Sequence, residues 1–321
     1  MAVRPGGATD PASRIERLVE RQDRRFRRVF LQAIQVIQDN LTLDTIVELL
    51  ERGDIEAALS VIEDAARLIG TAYGAALAES ATDTADFLSR ALTVGVGFDV
   101  TNQRAVNAIQ RNSLRLINGF TSEQRETVRQ VLARGISEGL NPREQARLFR
   151  ESIGLTPRQE QAVANYQRLL RAGSREALTR ELRDARFDRT VNRAITRGEP
   201  LTEEQIQRMV SRYRERYIRY RSEVIGRTEA LRSAHEGSEE MYRQAVETGA
   251  LDPESIRRKW VTAGDERVRN SHNALNGQER GLEETWQGED GTLRFPGDPS
   301  APPSETVQCR CVLTTRLTPV D

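Results

Sequence analysis

Both tryptophans, both cysteines and one of the two histidines of this chain fall between Lys259 and Cys311, in about a sixth of the molecule. No other feature constrains the fold so strongly. The preceding residues must build a core without those side chains. With aromatic residues at only 5% of 321, that core has to come from Leu, Ile, Val and Ala, which suits packed helices better than an aromatic-rich sheet. A hydrophobic content of 37% supports a sizeable core, and the length allows two or three domains.

Apolar residues recur at Ile15, Leu18, Val19, Phe26, Val29, Phe30, Ala33, Ile34 and Ile37, a helical stripe that needs a partner helix in this chain or in a second copy. Asp10 and Pro11 mark its start, the proline standing where its missing N–H costs nothing. A short helix from Leu43 to Arg52 should stop at Gly53, and Asp54 should cap a longer one whose Gly70, Ala72, Gly74, Ala75, Ala76 and Ala78 permit close packing. The glycines of VGVGF, Val94 to Phe98, indicate a loop or short strand. Thr121 with Gln124, Thr156 with Gln159 and Thr202 with Gln205 each pair a capping hydroxyl with an amide three residues on. Asn141-Pro142 starts another helix, and Gly119, Gly139, Gly154, Gly173 and Gly198 stand where helices should end.

Net charge is zero, but charge is segregated: twelve acidic residues face three arginines from Asp39 to Asp99, and eight arginines face three glutamates from Gln205 to Arg232. Faces of opposite sign serve self-assembly and DNA contact as readily as solubility. Arg24, Arg25, Arg27 and Arg28 form either a solvated face or a contact for DNA or an acidic protein. Tyr213, Tyr217 and Tyr220 lie at helical spacing among arginines and share one face. That face either packs on neighbouring structure while the arginines reach water, or grips DNA phosphates through Arg212, Arg216 and Arg219. Lys259 is the only lysine, a bias read as genome composition rather than function. No apolar run reaches the roughly 18 residues of a membrane span, and MAVRPGGATDP has no signal core, so the expectation is a protein made and kept in a cytosol, with no membrane partner.

Cys309 and Cys311 would project from one face of a strand, where His272 can join them around a structural zinc. Structural zinc takes four ligands, and Asp265 and His235 are the candidates for the fourth. The alternatives are two small buried thiols packed on Trp260 with His272 bonded inside its own turn, or redox pairing of the cysteines. Arg267 and Arg269 would pair with Asp265, with Glu229 or with an outside phosphate. From Glu279 to Glu305 seven acidic residues face Arg280 and Arg294, which points to a protein partner or an exposed loop rather than to DNA. Asp265, His272 and Glu229 also suggest a metal-dependent nuclease. The chain has no paired-carboxylate motif, Gly-rich phosphate loop or nucleophile elbow, however, so no enzyme activity is expected, and no cofactor beyond the zinc.

Arg227, Thr228 and Glu229; Trp260; Asp265, Arg267, Arg269 and His272; Leu275 and Gly277; Pro296, Gly297, Asp298 and Pro299; and Cys309, Arg310 and Cys311 follow one another in an order and spacing that resembles the C-terminal domain of the phage head morphogenesis family, the minor head proteins related to phage Mu protein F. The resemblance covers roughly Leu201 to Leu317. It implies a minor capsid protein of a tailed phage, present in few copies at the portal vertex inside the head and acting in head assembly, DNA packaging or DNA delivery. Implied partners are portal protein, major capsid protein and packaged DNA, with the host cytoplasm as the place of assembly. The alternative is a DNA-binding internal protein ejected with the genome. The expected fold is mostly α with a C-terminal α+β domain: an elongated helical region over residues 1–200, docking on portal or capsid and able to self-associate through its N-terminal helices, then a compact domain over 201–317 with short strands around Trp260, Leu293 and Val312.

Overall fold

Leucine, isoleucine and alanine at helical spacing do fold as helix. A computed structural model describes residues 11–92 and 95–318. Its helices are α1 (Pro11–Asn40), α2 (Leu43–Arg52), α3 (Ile55–Leu92), α4 (Gln103–Ser137), α5 (Pro142–Ser152), α6 (Pro157–Arg171), α7 (Asp188–Arg197) and α8 (Glu203–Glu247). The C-terminal α+β part follows with β1 (Ile256–Val261), α9 (Asn270–Leu275), β2 (Glu279–Arg280), β3 (Trp286–Gln287), β4 (Thr292–Leu293), α10 (Pro303–Thr306) and β5 (Val312–Leu317). The mostly α fold with a C-terminal α+β region is as expected. The Asp10 cap and Val94 lie outside the described residues; Gly95 to Phe98 form a loop. Among the described residues no helix is long and apolar enough to cross a membrane.

Contacts divide the chain into two units, residues 1–30, 68–116 and 223–321 in one and 31–67 and 117–222 in the other. In the first, Ile15, Leu18, Val19 and Phe26 of α1 share a core with Tyr73 and Leu77 of α3, Leu231 of α8, and Trp260, Trp286 and Phe295 of the terminal region. The stripe on α1 therefore finds partners within the chain. The α3 and α8 backbones approach closely at Leu77, Ser80 and Ala81. A Cβ on Gly237 of α8 would lie 2.8 Å from Ser80 Cβ and 3.0 Å from the Ala81 backbone nitrogen, with the Leu77 carbonyl also in the way. Gly237→Ala is expected to lower stability by about 1–3 kcal/mol, a loss to be read from the denaturant midpoint; an unchanged midpoint would mean that this approach is loose.

Buried acids on α8 meet arginines from α4: Arg104 with Glu240 at 2.8 Å and Arg115 with Glu229 at 2.6 Å. Tyr73 donates to Glu236 at 2.6 Å, as does Asn112 at 2.8 Å. In the Arg24–Arg28 cluster, Arg25 reaches Glu79 and Arg27 reaches Asp23, which leaves Arg24 and Arg28 as the exposed pair. The three-stranded sheet has order β2-β1-β5, antiparallel throughout, with Trp260 opposite Leu313 and Val261 opposite Val312. Burial along β1 alternates, placing Ile256, Arg258 and Trp260 inward.

The second unit contains most of the predicted caps. Asn141 and Thr156 form reciprocal capping boxes with Glu144 and Gln159, and Thr202 does the same with Gln205. The expected start at Thr121 and stop at Gly119 are not there, because α4 runs unbroken through both. Gln124 instead accepts from the Gly154 N–H at 2.8 Å and donates to the Leu155 carbonyl at 2.7 Å, bonds worth more when buried than a solvent-side cap. The tyrosine face is also narrower than expected. Tyr213 is buried against Tyr166 (4.3 Å between ring centroids) and Tyr217, whereas Tyr220 is 43% exposed. Arg212 pairs with Glu215 and Arg216 with Asp184, so of the three candidate phosphate-binding arginines these two have acidic partners, and Arg219 is exposed.

Candidate metal centre

The rare side chains at the C-terminal end meet in one buried cluster. Trp260, at 0% exposure, packs edge-on to the His272 ring (5.2 Å between centroids) and tilted against Trp286 (5.5 Å). Its backbone accepts from Gly277 and donates to Gln278, which fixes the chain on either side of the short α9 that carries His272. Two prolines, Pro302 and Pro303, open α10. Beyond α10 the chain turns through Gln308, whose φ of 57° is the left-handed conformation, and delivers Cys309 and Cys311.

Both thiols face one side of the imidazole: Cys309 Sγ and Cys311 Sγ each lie 3.5 Å from His272 Nδ1. The other ring nitrogen, Nε2, lies 2.9 Å from Glu305 Oε2. His272, Cys309, Cys311 and Glu305 are all at most 2% exposed. Burial would raise the Glu305 carboxyl, but the Asp290 backbone N–H and the His272 ring outweigh it and hold the acid below its ordinary range. A carboxylate at Nε2 leaves Nδ1 as the ring nitrogen directed at the two sulfurs. The cysteines are unpaired, and they precede β5 rather than lying in it; an extended segment suffices to put residues two apart on one side.

The other motif residues lash this cluster together. The Gln308 N–H donates to Thr228 Oγ1 at 3.1 Å. Arg269 donates to the Ser304 and Val307 carbonyls, both at 2.6 Å, closing α9 onto α10. Asp265 pairs with Arg310, and its carboxylate also caps the Arg267 N–H. Asp298, in the P-G-D-P loop, accepts from the Arg294 backbone, the Arg294 guanidinium and Ser300. Its carboxyl is held low despite burial by those Arg294 contacts. The ion-pair expectation for the D-x-R-x-R segment is therefore corrected: neither Arg267 nor Arg269 takes Asp265 or Glu229 through its side chain, because Glu229 is already held by Arg115 and Arg232. The acidic stretch ending at Glu305 is not one exposed face either, since Asp298 and Glu305 are buried.

Of the fourth ligands considered, Asp265 is committed to Arg310, and His235 lies on α8 in a different cavity lined also by Arg14, Tyr242, Arg258 and Phe295. Arg227 is near enough to feel the Cys309 sulfur, and burial lowers its affinity for its proton. Two contributors had no signal in the sequence. Glu305 is one acid in an acidic stretch, and Arg232, which donates to Glu229, Gly297 O and Thr306 Oγ1, is one arginine among many.

His235 gives the protein a built-in acid sensitivity. Burial, with Arg227 and Arg258 nearby, pushes its pKa down to about 3, and Nε2 has no hydrogen-bond partner among the described residues. The unfolded chain takes up this proton near pH 6.5, so the contribution is complete above that value and is lost as pH falls toward 3. Stability should drop by about 2 kcal/mol between pH 7 and pH 5 from this group alone. A His235→Leu variant, compared by urea titration at the two values, should lose that slope; an equal slope would place the sensitivity elsewhere.

Residues 185–314 match the family model described as Phage Mu protein F like protein. No curated protein and no solved structure matches the chain.

Proposed function

We propose that this chain, whose residues 185–314 match the family model described as Phage Mu protein F like protein, is a phage head morphogenesis protein: a minor capsid protein, present in few copies at the portal vertex and acting in head assembly, DNA packaging or DNA delivery. The observation that carries this reading is the match itself, together with the convergence of its motif residues on one buried, cross-bonded cluster. Those residues hold the domain shut, which suits a rigid adaptor more than an enzyme. Portal protein and major capsid protein are the partners this reading requires, with helices of the 1–200 region as the docking part and the virion head as the location.

Packaged DNA is the weaker partner. Arg212 and Arg216 are engaged by acids, which leaves exposed arginines such as Arg24, Arg28 and Arg219 for phosphate. Co-expression with portal and capsid proteins, followed by purification at low and moderate salt, tests both. The portal complex should survive the salt step. Binding to DNA alone that falls steeply with salt, with no capture of portal, would favour an internal DNA-binding protein instead.

A further inference from the structure

We infer that His272 Nδ1, Cys309 Sγ and Cys311 Sγ hold a zinc ion, that Glu305 fixes the ring that presents Nδ1, and that the ion's role is to pin the C-terminal strand to the rest of its unit. This rests on the cluster's own geometry and does not depend on the proposed function.

The distances carry the argument. Zinc at its usual separations from a ring nitrogen and a thiolate, with tetrahedral angles, puts those two atoms about 3.6 Å apart. Both N···S separations here are 3.5 Å, and all three donor atoms lie within 4.8 Å of one another. Hydrogen bonding alone explains this less well. The neutral ring offers one lone pair at Nδ1, which accepts one S–H, yet two sulfurs sit at the same distance from it. A cation at the centre of the three satisfies all of them.

Donor chemistry selects the ion. Two thiolates and an imidazole suit zinc or another thiophilic metal and disfavour magnesium or calcium, which take oxygen. Two thiolates neutralise a dication, so the assembled site buries no net charge where each group alone would be costly. The Glu305–His272 contact is the outer-shell partner that metal-bound histidines commonly have, the carboxylate setting tautomer and ring orientation.

Among the described residues, His, Cys, Asp and Glu supply three donors, which leaves the fourth tetrahedral position to a solvent molecule. Glu305 lies on Nε2, the side of the ring away from that position, so it supports the ring and is not placed to activate bound water. Three protein donors and one solvent depart from the closed four-ligand pattern of structural zinc, but Glu305, held at Nε2, cannot serve that solvent as a base, so the role we assign to the ion is structural. The ion joins α9, the turn after α10 and, one residue past Cys311, the start of β5.

The test uses the untagged full chain, purified without chelator. Native mass spectrometry should find one zinc per chain, and cobalt(II) exchanged into the site should give the intense visible bands of a tetrahedral ion with a thiolate charge-transfer band. Cys309→Ser and Cys311→Ser should each lose the ion. Glu305→Gln should keep it, with affinity lower by about 10–100-fold in competition with a chromophoric chelator. The wild-type measurements stand even if a cysteine variant fails to fold. A folded wild-type chain that stays metal-free in equimolar zinc, a cobalt spectrum of six-coordinate type without thiolate bands, or a Cys309–Cys311 disulfide in the freshly purified protein would each overturn the assignment.

Discussion

Trp260→Ala should destabilise the protein by about 3–5 kcal/mol, a large share of the 5–15 kcal/mol typical of a folded domain. The indole is fully buried between Trp286 and His272, and its strand position faces Leu313 of β5, so removal opens a cavity under both the sheet and the thiol cluster. The surrounding groups come from β3, α9 and β5 and cannot collapse together without breaking strand register. Denaturant unfolding should therefore show an early transition, with the remaining Trp286 exposed in it. Trp260→Phe should retain most of the lost stability. A cost below about 1 kcal/mol for the alanine variant would mean that the cluster is loosely packed and not the centre of this unit.

The second large effect is expected at Arg232, which is 7% exposed. It joins α8 to the P-G-D-P loop through the Gly297 carbonyl at 3.1 Å, to α10 through Thr306 Oγ1 at 3.1 Å, and to Glu229 at 2.6 Å. Arg232→Ala removes one member of a buried pair and leaves the others short of a donor, a change that costs about 3–5 kcal/mol. Arg115 still faces Glu229, which argues for the lower end of that range. The double change Arg232→Met with Glu229→Gln should recover part of the loss, because a neutral amide is cheaper to bury than a carboxylate with one partner gone. No recovery would show that the loop contacts, rather than the ion pair, dominate.

What could be read beforehand follows from how local each signal is. Gly53 and Gly198 do close their helices in the left-handed conformation, and the caps at Asn141, Thr156 and Thr202 are present, since each depends only on residues a few positions away. Thr121 with Gln124 carries the same local pattern, but Gln124 is claimed by Gly154 and Leu155, about thirty residues on, and only the folded chain supplies them. The tyrosine face fails at Tyr220 for a related reason. Its spacing is right, but the aromatic partner, Tyr166, packs on Tyr213, against which Tyr217 then sits edge-on. In the cluster itself, Trp260, His272, Cys309 and Cys311 stood out because they are rare in this chain. Glu305 and Arg232 are common types whose importance comes from partners 33 and 74 residues away, which no spacing rule encodes. The arginines near Asp265 stand out in the motif, but their acceptors are whatever remains once Arg310 and Arg115 have taken the two acids.

The reading as a minor head protein is tested most directly by counting this chain in purified phage particles. Quantitative mass spectrometry against the major capsid protein should find it in every preparation, at a copy number like that of a portal component and far below that of the capsid subunit. Absence from mature particles and their precursors alike, or a ratio near one per capsid subunit, would contradict it.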